Sequence, residues 1–202
     1  LAADKPSKQE LTKEELGGSR VAVDTAGTIH AVAKSEDECI AMIRRFLSYM
    51  PQNVWQLPPM GPRDYPPARA DDALASIVPR NRRHPYDMRK LVGMVVDAGS
   101  TFEIQPRYGR GVITQLVRLG GRVVGVIANN PVAAGGALDA RGARKQTHFI
   151  ELCDTFHIPI VFFVDVPGFM VGREAETAAT LREGMRSVFV ALQATVPIMT
   201  AV

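Results

Sequence analysis

Cysteine is scarce in this 202-residue chain: Cys39 and Cys153 stand alone, with no CxxC pair and no histidine at metal-ligand spacing. That excludes a disulfide-stapled scaffold and gives no reason to expect a metal site; the pair reads as two buried thiols in a reducing compartment. Long apolar runs are missing as well, so no membrane span is expected, and no signal peptide is visible. Charge of one sign is lacking too. The 24 basic and 21 acidic residues leave +3, spread along the chain, which makes no electrostatic case for nucleic acid or a membrane surface.

The familiar catalytic signatures are also absent. There is no phosphate-binding P-loop, and Gly120-Gly121 precedes a strand, whereas a dinucleotide loop must follow one. No GxSxG elbow occurs, which argues against a serine hydrolase. His30, His84, His148 and His157 are scattered, none beside a serine, cysteine and acid in a recognisable order. They read as structural or surface residues.

What is present is an ordinary apolar fraction, 46%, enough for one buried core or parts of two. The most telling segment is Val161-Phe162-Phe163-Val164-Asp165-Val166-Pro167-Gly168-Phe169. Four buried-type residues form a strand, and Pro167-Gly168 turns the chain abruptly at its end. In open α/β sheets that edge is where ligands bind. Val123-Val124-Gly125-Val126-Ile127-Ala128 is a second buried strand, broken at Asn129-Asn130-Pro131 and loosened through Ala133-Ala134-Gly135-Gly136. Asp139 then caps a helix with Phe149, Leu152, Cys153 and Phe156 on its inner face. A further helix is predicted from about Arg173 to Ala194, its stripe made of Leu181, Met185, Val188, Phe189 and Leu192. Alternating strand and helix define a parallel α/β sheet with right-handed crossovers.

Upstream, residues 1–18 are polar and charged. Val21–Val23 and Ile29–Ala33 read as short strands. Ser35 and Glu38 form a capping box for a helix carrying Ile40, Ile43, Leu47 and Met50 on one face. Residues 51–80 hold seven prolines and little periodicity, which is linker composition. Arg80-Asn81-Arg82-Arg83-His84 is a local basic cluster, read as a solvated face or a contact for a phosphate-bearing partner. Beyond it, Tyr86-Asp87-Met88 opens a helix with Leu91, Val92 and Val95 inward. Phe102–Ile104 and Val112–Val117 read as further strands. The chain begins at Leu1 and finishes on the strand Pro197–Val202, so a piece of a longer protein is expected.

In this order and spacing, the blocks GVIANNP, AAGGALD, FIELCDTFHIPIV and VDVPGF resemble the carboxyltransferase (beta) subunit of biotin-dependent acyl-CoA carboxylases, the propionyl-CoA and acetyl-CoA type. Glu15-Leu16-Gly17-Gly18, Pro85-Tyr86-Asp87-Met88-Arg89 and Arg118-Leu119-Gly120-Gly121 match further motifs of that family. The resemblance implies a crotonase-like ββα superhelix, present in part. Residues 1–50 would be the end of the N-terminal half, 51–80 a Pro-rich linker, and 81–202 a truncated C-terminal half. It implies transfer of a carboxyl group from carboxybiotin to the α-carbon of a short-chain acyl-CoA, with biotin carried elsewhere, since no AMKM attachment motif is present. Expected partners are a biotin carboxylase/biotin carrier subunit, acyl-CoA and copies of the same subunit. The expected compartment is the cytoplasm, or the mitochondrial matrix in a eukaryote.

Such chemistry needs backbone N–H groups aimed at developing oxyanions rather than a side-chain nucleophile, and small residues let the backbone approach. The resemblance therefore puts Ala134, Gly135 and Gly136 forward as catalytic. It makes Arg118, Pro167, Gly168 and Phe169 candidates for binding substrate or biotin; a solvated surface arginine is the competing view of Arg118. Arg141, Arg144 and Lys145 could approach an anion from their helix. Where the family usually reads DVPGFLPG, this chain has Met170-Val171 for the Leu-Pro pair. That loosens the turn. Two rivals stay open: a crotonase-type hydratase, isomerase or decarboxylase, which would want a glutamate beside the Ala133–Gly136 loop, and a non-catalytic assembly fragment.

Overall fold

A computed structural model describes residues 11–63, 71–81 and 84–202. Residues 1–10 and Arg82-Arg83 of the basic cluster lie outside the described residues.

The core is a five-stranded sheet with strands β1 (Phe102–Glu103), β2 (Val112–Leu119), β3 (Arg122–Asn129), β4 (Ile160–Phe163) and β5 (Ile198–Ala201) lying side by side in sequence order. β1, β2 and β3 run antiparallel; β3, β4 and β5 run parallel. Gly120 and Gly121, both at positive φ (58° and 79°), make the two-residue β2–β3 turn, the conformation that suits a tight hairpin. The parallel half is built by crossover helices α5 (Ala140–Thr155) and α7 (Thr180–Gln193), as the alternating pattern predicts.

Strand alternation sorts the core into two layers. Val112, Leu116, Val123 and Ile127 pack with Phe149, Ile150 and Cys153 of α5. Ile113, Val117, Val124, Val126 and Ala128 pack with Met88, Val92 and Val96 at α4 (Met88–Val95). Asp87 caps α4 by accepting from the N–H groups of Arg89 and Lys90. A central sheet buried on both faces explains why β3 reads as a continuous apolar run.

Four sequence expectations are corrected. Val21–Thr25 is a wide helical turn, not a strand, and Ile29–Ala33 has no regular structure. At α2 (Glu36–Leu47) the Ser35 hydroxyl caps the Glu38 N–H, but the Glu38 carboxylate takes the Lys34 N–H, so only half of the box forms. Cys39 is exposed, and only Cys153 is buried, its thiol pushed up by burial. The helix predicted from Arg173 to Ala194 is broken by Ala179 at φ 57°, into α6 (Arg173–Thr177) and α7. Two short helices, Lys13–Gly17 and Leu74–Ile77, complete the set.

The face of α7 is the other surprise. Thr180, Glu183, Gly184 and Ser187 are its buried residues, with Glu183 taking the guanidinium of Arg144 on α5. Leu181, Met185, Val188, Phe189 and Leu192 are 46–77% exposed. Period alone identifies an apolar stripe but does not say which side is covered. A contiguous exposed stripe of this kind drives association. The chain is expected to self-associate at micromolar concentration in sedimentation velocity, and Leu181→Glu with Phe189→Lys should return it to monomer; a monomeric wild type would mean the stripe is too small to matter.

Candidate functional site

The parallel register places the ends of β3 and β4 next to one another, and the chain leaves each strand into one of the two segments picked out by sequence. After β3, Ala134, Gly135 and Gly136 form a single tight turn with φ values of 51°, 63° and 79°. The Gly136 N–H donates to Ala133 and the Ala137 N–H to Ala134, closing the turn internally. The N–H groups of Ala134 and Gly135 have no acceptor among the described residues, and both residues are exposed. Gly136 therefore differs from its neighbours. A Cβ on it would lie 2.8 Å from the Asp165 carbonyl oxygen, so it is small to let two backbone segments touch.

Asn129 joins the two segments. Its Nδ2 donates to the Gly136 carbonyl at 3.3 Å, and its Oδ1 accepts the Asp165 N–H at 3.1 Å. Leu138 and Phe169 form a parallel bridge, with Leu138 donating to the Gly168 carbonyl and Met170 donating back to Leu138. The Phe169 ring sits over Gly184 of α7, where a Cβ would collide with it. Gly168 and Phe169 thus brace the turn from behind.

Between these segments and the stretch before α4 lies a cleft of about 720 Å³, lined by Val78, Pro79, His84, Pro85, Tyr86, Pro131, Gly135, Asp165, Val166 and Pro167. Gly135 and Pro167, both sequence candidates, share it. The Tyr86 hydroxyl donates to Asp165 Oδ2 at 2.8 Å. Burial, reinforced by that bond, pushes the Tyr86 phenol up to about 12. Asp165 and Tyr86 are the cleft residues that sequence reasoning passed over. Both stood in quoted motifs, but nothing in the sequence tells that residues 79 apart will pair. No glutamate lines the cleft among the described residues.

Arg118 is elsewhere. Its partner across the hairpin is Val123, six residues up β3 from Asn129, or roughly 20 Å at the usual strand rise. Its guanidinium donates to the carbonyls of Pro59, Gly121 and Ser48 and lies over the Tyr49 ring, 5.3 Å from its centroid. The expectation that it grips a carboxylate is corrected: three carbonyls occupy the fork, and it clamps the end of α2 and residues 59–61 to the hairpin. Arg118→Ala is expected to cost about 2–3 kcal/mol, as for hydrogen bonds from a charged donor, read from chemical denaturation. Lysine should rescue only in part, lacking the fork.

The helix cations are likewise engaged. Arg144 pairs with Glu183, and Arg141 reaches the Asp24 carbonyl. Lys145 is fully buried, donating to the Val112 carbonyl at 2.7 Å, and burial drops its ammonium to about 8. His30 and His148, 118 residues apart, meet edge to face with ring centroids 4.8 Å apart, so two of the scattered histidines do come together. Burial and the neighbouring ring lower the His30 pKa.

A turn with free backbone donors at the carboxyl edge of the parallel strands, beside a cleft lined by His84, Tyr86 and Asp165, marks an α/β protein with its candidate site where such sheets bind ligands. The particular family follows from comparison. Residues 5–202 match the carboxyl transferase domain, and the chain belongs to that family. It is 40% identical over 194 residues to the methylmalonyl-CoA decarboxylase subunit alpha of Veillonella parvula, covering 96% of this chain and 38% of that protein. It is 33% identical over 196 residues to the mitochondrial propionyl-CoA carboxylase beta chain of Homo sapiens, covering 97% and 36%. The fold matches transcarboxylase 12S, solved as a hexamer assembly with methylmalonyl-CoA and methylmalonic acid bound, with a TM-score of 0.91 at 33% identity over 95% of this chain and 37% of that one. The chain therefore spans under two-fifths of the length of these relatives. No helix among the described residues is long and apolar enough to cross a membrane.

Proposed function

We propose that the chain forms part of a biotin-dependent acyl-CoA carboxyltransferase, moving a carboxyl group between biotin on a partner subunit and the α-carbon of a short-chain acyl-CoA. The observation that carries this reading is the turn of Ala134 and Gly135, whose N–H groups have no acceptor among the described residues and of which Gly135 lines the cleft. Bound biotin supplies a ureido nitrogen able to carry the carboxyl group. The contribution of this chain is to offer main-chain donors where negative charge grows on a carbonyl oxygen, ureido or thioester, at no cost of reorganisation. Gly136 and Asn129 hold the turn against Asp165, and Pro167 walls the cleft, with Gly168 and Phe169 bracing it. The hydratase reading has less support, since no glutamate lines the cleft among the described residues.

Within this reading, residues 1–50 belong to the end of an N-terminal half, 51–80 to a connection, and 81–202 to a C-terminal half. A biotin carboxylase or carrier subunit and further copies of the same subunit complete the enzyme, in the cytoplasm or the mitochondrial matrix. The names of the relatives point to propionyl-CoA and methylmalonyl-CoA as the first substrates to try. The test is the full-length protein with its biotin-carrying partner, assayed in both directions: labelled bicarbonate into propionyl-CoA with ATP, and loss of the carboxyl group from methylmalonyl-CoA. Turnover of either supports the proposal. Hydration or isomerisation of an enoyl-CoA, with no biotin dependence, would replace it.

A further inference from the structure

Lys145 on α5 is fully buried, and its ammonium bonds a carbonyl that the sheet leaves over. β1 pairs with β2 only as far as Gln115, and the Ile104 N–H reaches Thr114. Asn130 gives its N–H to the Gly111 carbonyl at 2.9 Å, so by the alternation of an antiparallel ladder the Val112 carbonyl faces away from β3. β1 has ended by that point, and Lys145 Nζ donates to this carbonyl instead, at 2.7 Å. The segment so anchored, residues 110–112, is the floor of the donor turn. The Arg110 carbonyl accepts Asn130 Nδ2 at 2.8 Å, and Asn130 itself is buried. The Asn130 carbonyl accepts the Ala133 N–H at 2.9 Å, and the Ala133 carbonyl accepts the Gly136 N–H at 3.0 Å. A Cβ on Gly111 would lie 2.7 Å from the Ala137 carbonyl oxygen, so floor and turn touch. Covalent and hydrogen-bonded links thus run without a gap from the ammonium to the turn.

Resting on the reading above, we propose that Lys145 is a positioning residue for carboxyl transfer, holding residues 110–112 and, through Asn130, the turn that carries the Ala134 and Gly135 N–H groups. Neither Lys145 nor Asn130 lines the cleft, so both act through the backbone that they fix. A hydrogen bond from an ionised donor is roughly twice as strong as a neutral one. The charge therefore stiffens a strand end that has no ladder to hold it. Glu103 on β1 favours the ammonium and Arg89 on α4 opposes it. On its own helix, Arg141 is engaged by the Asp24 carbonyl and Arg144 by Glu183. Loss of the proton should loosen the turn, and burial brings that loss down to about 8, within reach of an assay.

The test pairs the rate of carboxyl transfer from methylmalonyl-CoA with amide hydrogen exchange, both in the full-length protein. At about pH 7, Lys145→Gln is expected to lower kcat about 10-fold, a modest case of the loss that misplaced groups bring, with KM within about twofold. Amides of residues 130–137 should exchange about 5-fold faster, while those of residues 114–126 stay as they are. The ratio of wild-type to Lys145→Gln rates should shrink as pH rises from about 7 to about 9.5. Over the same span the wild type should lose rate relative to Lys145→Arg, which keeps its charge. The arginine arm decides the matter should the glutamine variant fail to fold. Equal rates in a folded Lys145→Gln protein, or a slow variant whose turn exchanges no faster, overturn the assignment. Faster exchange spread evenly over the sheet overturns it too, since a merely structural lysine would give that. The exchange arm reads the turn without catalysis. If the wild type transfers no carboxyl group while the turn loosens as expected, the proposed function falls and the link from Lys145 to the turn stands. If the wild type transfers and Lys145→Gln matches it in rate and exchange, this inference alone falls.

Discussion

Gly135→Val in the full-length protein is expected to lower the rate of carboxyl transfer by about 10²–10³, the usual loss for one oxyanion donor. A Cβ at this position meets no atom within 4 Å, so the substitution creates no internal clash. It extends into the cleft, where it holds substrate off the Ala134 and Gly135 N–H groups. The φ of 63° adds local strain, because a branched side chain disfavours the left-handed region. Some loss of stability therefore accompanies the loss of rate, and Gly135→Ala separates the two with a smaller strain of about 1–2 kcal/mol. Gly136→Ala gives the contrast: its Cβ meets the Asp165 carbonyl, so it should shift the melting midpoint as well as the rate. Unchanged turnover in Gly135→Val would make the turn a spectator.

The second large effect concerns Lys145. Its ammonium sits at about 8 in the folded chain against an ordinary 10.5, so between those values the unfolded chain binds more protons than the folded one. The Lys145 contribution to stability then rises with pH across that window, against the opposite trend of the Cys153 thiol and the Tyr86 phenol, whose raised values make the folded chain the better proton binder above about pH 9. Below about pH 8 the fold carries the full cost of a buried charge, on the order of 3 kcal/mol by the ordinary conversion, and by pH 10.5 most of it is gone. Glu103 offsets part of this and Arg89, bound to Glu103 through two nitrogens, works against it. Urea denaturation of the wild type and Lys145→Met at pH 7.5, 9 and 10.5 isolates the term: the stability difference between them should shift toward the wild type as pH rises, because the Cys153 and Tyr86 contributions are common to both. A difference that stays constant with pH would mean the ammonium is solvated in a way the fold does not suggest.

How far the sequence carried the structure depended on the range of the signal. β2, β3 and β4, the helix start at Tyr86-Asp87-Met88, the cap at Asp139 and the glycine turn were legible because each is set by residues within a few positions of one another. The expectation for Arg118 failed because its partners, Ser48 and Pro59, lie 70 and 59 residues away. A lone arginine before a turn looks the same whether it binds ligand or chain. The stripe of α7 was legible but the side it faces was not: periodicity gives the presence of two faces, while the buried face is the one with Gly184 and Ser187. The His30–His148 contact and the Tyr86–Asp165 bond join segments whose proximity only the fold creates. Asn129 lay in a quoted motif, yet its double role needed the parallel register of β3 and β4 to become visible.

The mixed sheet also sets an order of assembly. The β2–β3 hairpin closes through a two-residue turn, a local event on the microsecond scale. The Asn129–Asp165 link closes 36 residues and must wait for α5 to cross over and β4 to dock. Long-range parallel pairing comes late because its loop entropy is met before any contact rewards it. Refolding should therefore restore hairpin amide protection well before the cleft regains its ligand affinity, which leaves a transient species with a formed sheet edge and an unshaped site.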